Sequence, residues 1–183
     1  MSQAASPARP VCLVVMGPSG TGKTTTAKGL AARLGWTFAE ADEFHPKRNI
    51  DKMSAGIPLG DEDRAPWLAA IRDWISSKAE AGESTVITCS ALKRRYRDVL
   101  RGADARVRFV ELTADEAVIR QRMEKRKGHY MPPSLLASQF ADFEPLGADE
   151  DGVRVSVEEA PEAVQDDALR QLGLAAGTIR GGS

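Results

Sequence analysis

The eight residues GPSGTGKT at 17–24 constrain this chain more than any other segment. They fit the pattern G-x-x-x-x-G-K-[ST] in full, after the apolar run VCLVVM at 11–16 and before KTTTAKGLAARL at 23–34, which reads as a helix. Glycines at 17, 20 and 22 let the backbone curl with its N–H groups pointing inward, and the N-terminus of the following helix adds its dipole. Such a nest takes phosphate oxygens. Gly17, Pro18, Ser19, Gly20, Thr21, Gly22, Lys23, Thr24 and Thr25 are therefore the expected nucleotide-binding set. Lys23 reaches the β and γ phosphates as a point charge, and the Thr24 hydroxyl is placed to ligate Mg²⁺. A glycine-rich turn that binds nothing is the competing reading.

Short β-branched runs alternate with longer helical stretches along the whole chain. That is the pattern of a doubly wound α/β fold, a five-stranded parallel sheet with helices on both faces. Strands are predicted at 11–16, 37–41, 85–88, 107–112 and 153–157. Helices are predicted at 23–34, from near Pro66 to about 81, from Ser90 or Ala91 onward, after a Thr113/Glu116 capping box, and at 161–172. Trp67, Ile71, Trp74 and Ile75 follow the spacing of one apolar helix face and read as core. Two stretches break the alternation. Residues 45–63 form an insertion rich in polar and turn residues, and 122–134 form a basic segment that reads as a mobile flap.

Composition removes several classes. The 183 residues suffice to bury a core without disulfides or a structural metal, so one domain is expected, with flexible ends at 1–9 and 175–183. A net charge of -1 and a longest basic cluster of only Lys93-Arg94-Arg95 argue against nucleic acid as a partner. No stretch approaches the ~20 apolar residues of a membrane span, and MSQAASPARP at 1–10 has no apolar h-region, so a cytoplasmic protein is expected. Cys12 and Cys89 sit in apolar runs and read as packing rather than as a disulfide or redox pair. Oligomeric state is not fixed by the sequence, and a homodimer is compatible with it.

A phosphate loop alone does not separate kinases from GTPases, motors or nucleotide sensors. The base-reading N-K-x-D of G proteins is absent, as is an apolar strand ending in Asp-Glu. Four further segments narrow the field. ADEFHP at 41–46 with Asn49, Lys52 and Met53, GIPLGDEDRAPWL at 56–68, CSALKRRYRD at 89–98, and RKGHY at 126–130 followed by Ser138, Gln139, Phe140 and Glu144 together resemble the gluconokinases. The resemblance runs in family order from about 11 to 174. It implies a small P-loop kinase of the nucleoside-monophosphate and shikimate kinase type, with an acceptor insertion at about 43–65 and a lid at about 122–134. It also implies the reaction, transfer of a phosphoryl group from ATP to the 6-hydroxyl of gluconate. A kinase of another small hydroxy acid, such as shikimate, and a nonenzymatic nucleotide-binding regulator are the alternatives. Gly60 stands where the family usually has Asn or Thr, and Glu40 where it often has Asp.

Roles follow from the resemblance and from position. Asp42, at the carboxyl end of the second strand, is the expected base that orients the acceptor hydroxyl; an N-cap or turn carboxylate is the plainer reading. Glu40 is expected to touch Mg²⁺ through a water, beside Thr24. Arg64 and Lys93 are the candidates for the gluconate carboxylate, one a bidentate fork and the other a point charge, unless they are solvated surface residues. Ser90 is either an acceptor contact or the N-cap of its helix, and His45 either contacts a sugar hydroxyl or turns the chain before Pro46. Arg122 and Arg126, four apart on one helix face, are expected to stack near the adenine and to neutralise the transferring phosphoryl group, respectively, unless this charge-rich helix simply presents them to solvent.

Overall fold

The computed structural model describes residues 9–18, 20–125 and 133–174. Ser19, Arg126 and most of the proposed lid lie outside the described residues. The elements are β1 (Val11–Met16), α1 (Lys23–Leu34), β2 (Thr37–Glu40), a 3₁₀ turn (Ala41–Phe44), α2 (Lys47–Ser54), α3 (Asp61–Glu80), β3 (Thr85–Thr88), α4 (Arg94–Arg101), β4 (Arg106–Thr113), α5 (Glu116–Glu124), α6 (Pro133–Asp142), β5 (Gly152–Ser156) and α7 (Pro161–Leu172). All five strands are parallel, in the order β2-β3-β1-β4-β5. This is the doubly wound α/β sheet read from the sequence. β3 intervenes between β1 and β2, so the strand leading to Asp42 reaches the phosphate loop across a neighbour rather than directly.

β1 is the centre of the sheet, and its apolar run serves both faces. Cys12, Val14 and Met16 join a core with Trp67, Ile71, Ile75, Tyr96 and Leu100 from α3 and α4, while Leu13 and Val15 join Ala27, Leu30, Ala168 and Leu169 from α1 and α7. A strand covered on both sides needs no polar alternation, which is why 11–16 reads as continuously apolar. Cys12 and Cys89 are both buried free thiols. Gly29 lets α1 and α7 approach closely, since a Cβ there would sit 2.0 Å from the Gln165 amide nitrogen.

Four local expectations change. The polar insertion contains a two-turn helix, α2. α3 begins at Asp61, not near Pro66, because the Asp63 carboxylate accepts the Gly60 N–H at 3.0 Å and so caps the first turn. Pro66 then lies within the second turn of α3. α4 opens at Arg94, leaving 89–93 as a loop with Ala91 at φ 44, so Ser90 is not an N-cap. α5 is preceded by Asp115 rather than capped by Thr113, whose hydroxyl donates to the Val155 carbonyl at 3.3 Å at the end of β4.

Candidate active site

The phosphate loop leaves the carboxyl end of β1 through three glycines with positive φ: 144 at Gly17, 85 at Gly20 and 82 at Gly22. A side chain at Gly20 would also strike Ile119 of α5, its Cβ falling 2.7 Å from Cγ2. The Gly17 N–H donates to the Ser90 carbonyl at 3.3 Å, and the Thr21 hydroxyl closes the loop onto the Pro18 carbonyl at 2.8 Å. Lys23 Nζ donates to the Gly17 and Pro18 carbonyls at 3.0 and 3.2 Å, curled over the loop. Burial pulls its ammonium down to about 8, although Cys89 and Asp42 work the other way. The first turn of α1 has neither a side-chain cap nor an acidic residue, which leaves its N–H groups and dipole for an anion. The Thr24 hydroxyl donates to Glu40 Oε1 at 2.9 Å, bringing the two metal candidates together.

Beside this loop lies a cleft of about 220 Å³. Gly22, Thr25 and Arg122 line it, with Val157 and Glu159 from the β5–α7 connection and Pro161 and Val164 from the first turns of α7. Arg122 thus lines a cleft with the phosphate loop and the start of α1. An apolar wall with a guanidinium at its rim suits a flat heterocycle.

The candidate acceptor residues gather around α3. Trp67 donates its indole N–H to the Ala41 carbonyl at 2.6 Å, pinning the 3₁₀ turn that presents Asp42. Asp42 is exposed, and its carboxylate has no hydrogen bond among the described residues; Lys23 and His45 feel its charge. His45 stacks on Trp67 with ring centroids 4.3 Å apart and an interplanar angle of 11°. Burial lowers its pKa, Asp42 raises it and Arg64 lowers it, with a net fall. Arg64 donates to the Tyr96 hydroxyl at 3.0 Å and lies 5.2 Å from that ring's centroid, and Tyr96 in turn donates to Asp61 at 2.7 Å. Lys93 occupies the N-cap position of α4 and Ser90 the preceding loop, its carbonyl held by Gly17.

Two supporting clusters escaped the sequence reading. Asp63 takes Lys52 Nζ at 2.9 and 3.0 Å, the Gly60 N–H, and Arg48 at 3.1 Å, which together hold its carboxyl at about 2 and lock α2 to α3. Arg97, fully buried, forks onto Glu150 at 2.7 and 2.9 Å and caps the carbonyls of Ala91 and Glu144 at 3.0 Å each. It thereby fixes the 89–93 loop. Tyr96 and Arg97 stand inside a motif noticed in the sequence, but nothing local says which carbonyls and carboxylates they meet. Trp67 follows the apolar face of α3, so its polar N–H is invisible to periodicity.

A glycine nest with its lysine at the end of the central strand, with the candidate acceptor residues Asp42, His45 and Arg64 electrostatically coupled beside it, has the features of a P-loop kinase. A family model described as an AAA domain matches residues 12–146. The chain is 52% identical to the gluconokinase of Gluconobacter oxydans (strain 621H) over 164 residues, which cover 90% of this chain and 92% of that protein. Among solved structures, an unliganded sugar kinase from Janibacter sp. HTCC2649 aligns with a TM-score of 0.85 at 51% identity, covering 91% of this chain and 96% of that one. A gluconokinase from Sinorhizobium meliloti 1021 aligns at 0.81 with 42% identity, covering 91% and 93%. The chain belongs to the gluconokinase family.

Proposed function

We propose that the protein transfers the terminal phosphoryl group of ATP to the 6-hydroxyl of D-gluconate, giving 6-phosphogluconate and ADP. The observation that carries this reading is a meeting of charges: the Asp42 carboxylate acts on both Lys23 of the phosphate loop and His45, and the Arg64 guanidinium acts on His45 as well. The anion nest, the uncapped start of α1 and Lys23 fit a triphosphate, and Thr24 with Glu40 would hold Mg²⁺, directly and through water. When bound, Mg²⁺ supplies charge neutralisation on the β and γ oxygens. Residues 17–25 grip the phosphates, and Arg122 flanks the adenine cleft. Asp42 orients the 6-hydroxyl in line with the γ phosphorus and accepts its proton late, as a loose transition state demands. Arg64, its guanidinium held by Tyr96, pairs with the gluconate carboxylate; Lys93 adds a second charge, and Ser90 and His45 face sugar hydroxyls. Arg126, in the lid at about 122–134, neutralises the moving phosphoryl group.

The reading includes one kinase domain with an acceptor insertion at about 43–65, acting in the cytoplasm on a small molecule without nucleic acid or membrane. No helix among the described residues is long and apolar enough to cross a membrane. A coupled ADP-release assay over a panel of sugar acids and neutral sugars tests it. Gluconate should be the preferred acceptor and glucose, which lacks the carboxylate, a very poor one; efficient phosphorylation of glucose would overturn the assignment of Arg64 and Lys93. Asp42→Asn should lower kcat by about 10²-fold or more without shifting the melting temperature, because the carboxylate acts on the reacting centre and packs nothing. Near-normal turnover of this variant would remove Asp42 as the base.

A further inference from the structure

Asn49 is completely buried beneath the acceptor wall. Its side-chain nitrogen Nδ2 lies 2.8 Å from the Asp63 carbonyl oxygen and 3.2 Å from His45 Nδ1. Its oxygen Oδ1 is buried without a hydrogen-bond partner among the described residues. A backbone carbonyl only accepts, so the Asn49 atom facing Asp63 must be the nitrogen; turning the amide over would set two oxygens against each other at that distance. The second N–H of the same nitrogen then points at His45 Nδ1, which has to be an unprotonated acceptor. In a neutral imidazole the proton consequently resides on Nε2.

We infer that Asn49 is a positioning residue that locks His45 as the Nε2–H tautomer, so that His45 serves the acceptor as a fixed hydrogen-bond donor and takes no proton from it. The inference rests on the acceptor-site reading given above and deepens it. A buried orphan acceptor such as Asn49 Oδ1 is disfavoured in a folded protein and calls for a reason; the orientation that leaves it orphaned is the one that fixes both Asp63 and His45. Trp67 completes the lock by stacking parallel to the imidazole, which restricts rotation of the ring. Adding a proton at Nδ1 would bring two N–H groups together, and the surroundings agree. Burial and the Arg64 charge disfavour imidazolium, Asp42 favours it, and the balance falls below the ordinary histidine value. With one nitrogen engaged by Asn49 and the other carrying hydrogen, His45 has no free lone pair for base catalysis. Donation from Nε2–H to an acceptor oxygen is what remains to it, and the leaving proton of the sugar hydroxyl goes to Asp42.

Two-bond proton–nitrogen correlation spectra of the ¹⁵N-labelled full-length protein read the tautomer directly. The chain has only two histidines, His45 and His129, so His129→Gln assigns the signals. At pH 7 without substrates, His45 should show one protonated nitrogen, Nε2; a proton on Nδ1 overturns the inference, whatever the protein phosphorylates. Donation to the acceptor is tested by substitution. His45→Gln, whose amide N–H replaces Nε2–H, should keep kcat/KM for gluconate within about 5-fold, whereas His45→Leu should lose about 10- to 100-fold with KM for ATP unchanged. Equal losses in the two variants would remove the donor role. Asn49→Leu should yield a mixture of tautomers and a raised KM for gluconate; if it fails to fold, the spectrum of the unmodified protein still decides. Should gluconate prove not to be the acceptor, the tautomer would stand while the kinetic arm failed for every variant, which separates the two conclusions.

Discussion

Replacing Arg97 by Met should destabilise this protein more than any change at the reacting centre. Both partners of the Arg97–Glu150 pair are withdrawn from water, with side-chain exposures of 0% and 1%. Burial works against the Glu150 charge, yet Arg97, the Gly147 N–H and Arg101 outweigh it and hold the carboxyl at about 2 against an ordinary 4.5. At about 1.4 kcal/mol for each tenfold change in proton affinity, that corresponds to roughly 3 kcal/mol of stability. Because the folded pKa is the lower one, this stability is fully present above about 4.5 and is lost as the pH falls toward 2. The substitution also strips a charged donor from the buried carbonyl of Ala91 and the half-buried one of Glu144, about 1–2 kcal/mol each, while Arg101 stays on Glu150 at 2.7 Å and offsets part of the loss. The net loss is therefore about 3–5 kcal/mol, or about 6–20 °C in melting temperature for a chain of this size. Thermal unfolding at several pH values checks it, and the gap should hold near pH 7 and narrow as the pH falls from about 4.5 toward 2, where the Glu150 carboxyl takes a proton in both proteins. A drop below about 3 °C at pH 7, or a gap that ignores pH, would refute the reasoning.

Three further outcomes are expected. Arg64→Met should raise KM for gluconate about 10²-fold while leaving KM for ATP unchanged, since the guanidinium, held by Tyr96, is proposed to pair with the gluconate carboxylate; equal losses for both substrates would mark a structural role. With Lys23 held at about 8 in the free protein, a bound triphosphate should raise its pKa, so affinity for ATP is complete below that pH and declines above it, with proton uptake on binding. Calorimetry in buffers of different ionisation enthalpy measures that uptake, and its absence at pH 8.5 would contradict the burial argument. Gly20→Ala should abolish nucleotide binding or unfold the loop, because its φ of 85 and its 2.7 Å approach to Ile119 leave no room for a methyl group; equilibrium dialysis with ATP decides.

Some features of this protein were fixed by residues close together in the chain. The phosphate loop needs three glycines with positive φ and a lysine at set spacing, α1 and α7 are bounded by αL glycines at 35 and 173, and the central strand is a run of apolar residues. Each of these is a local steric or burial requirement, so the letters alone reveal it. The family pattern in the insertion was legible for the same reason, because Asp42, His45, Asn49 and Arg64 recur at short spacing. Where elements begin was not. α3 starts at Asp61 because Asp63 is gripped by Lys52 and Arg48 from another helix, and α4 waits until Arg94 because Arg97 holds the Ala91 carbonyl while Gly17 holds that of Ser90. The order of the strands, the Trp67 lever under the 3₁₀ turn and the proton position on His45 likewise depend on contacts between segments far apart in sequence. Local propensity ranks conformations within a segment, whereas these choices were made by hydrogen bonds and ion pairs that exist only once the sheet has brought distant segments to one edge.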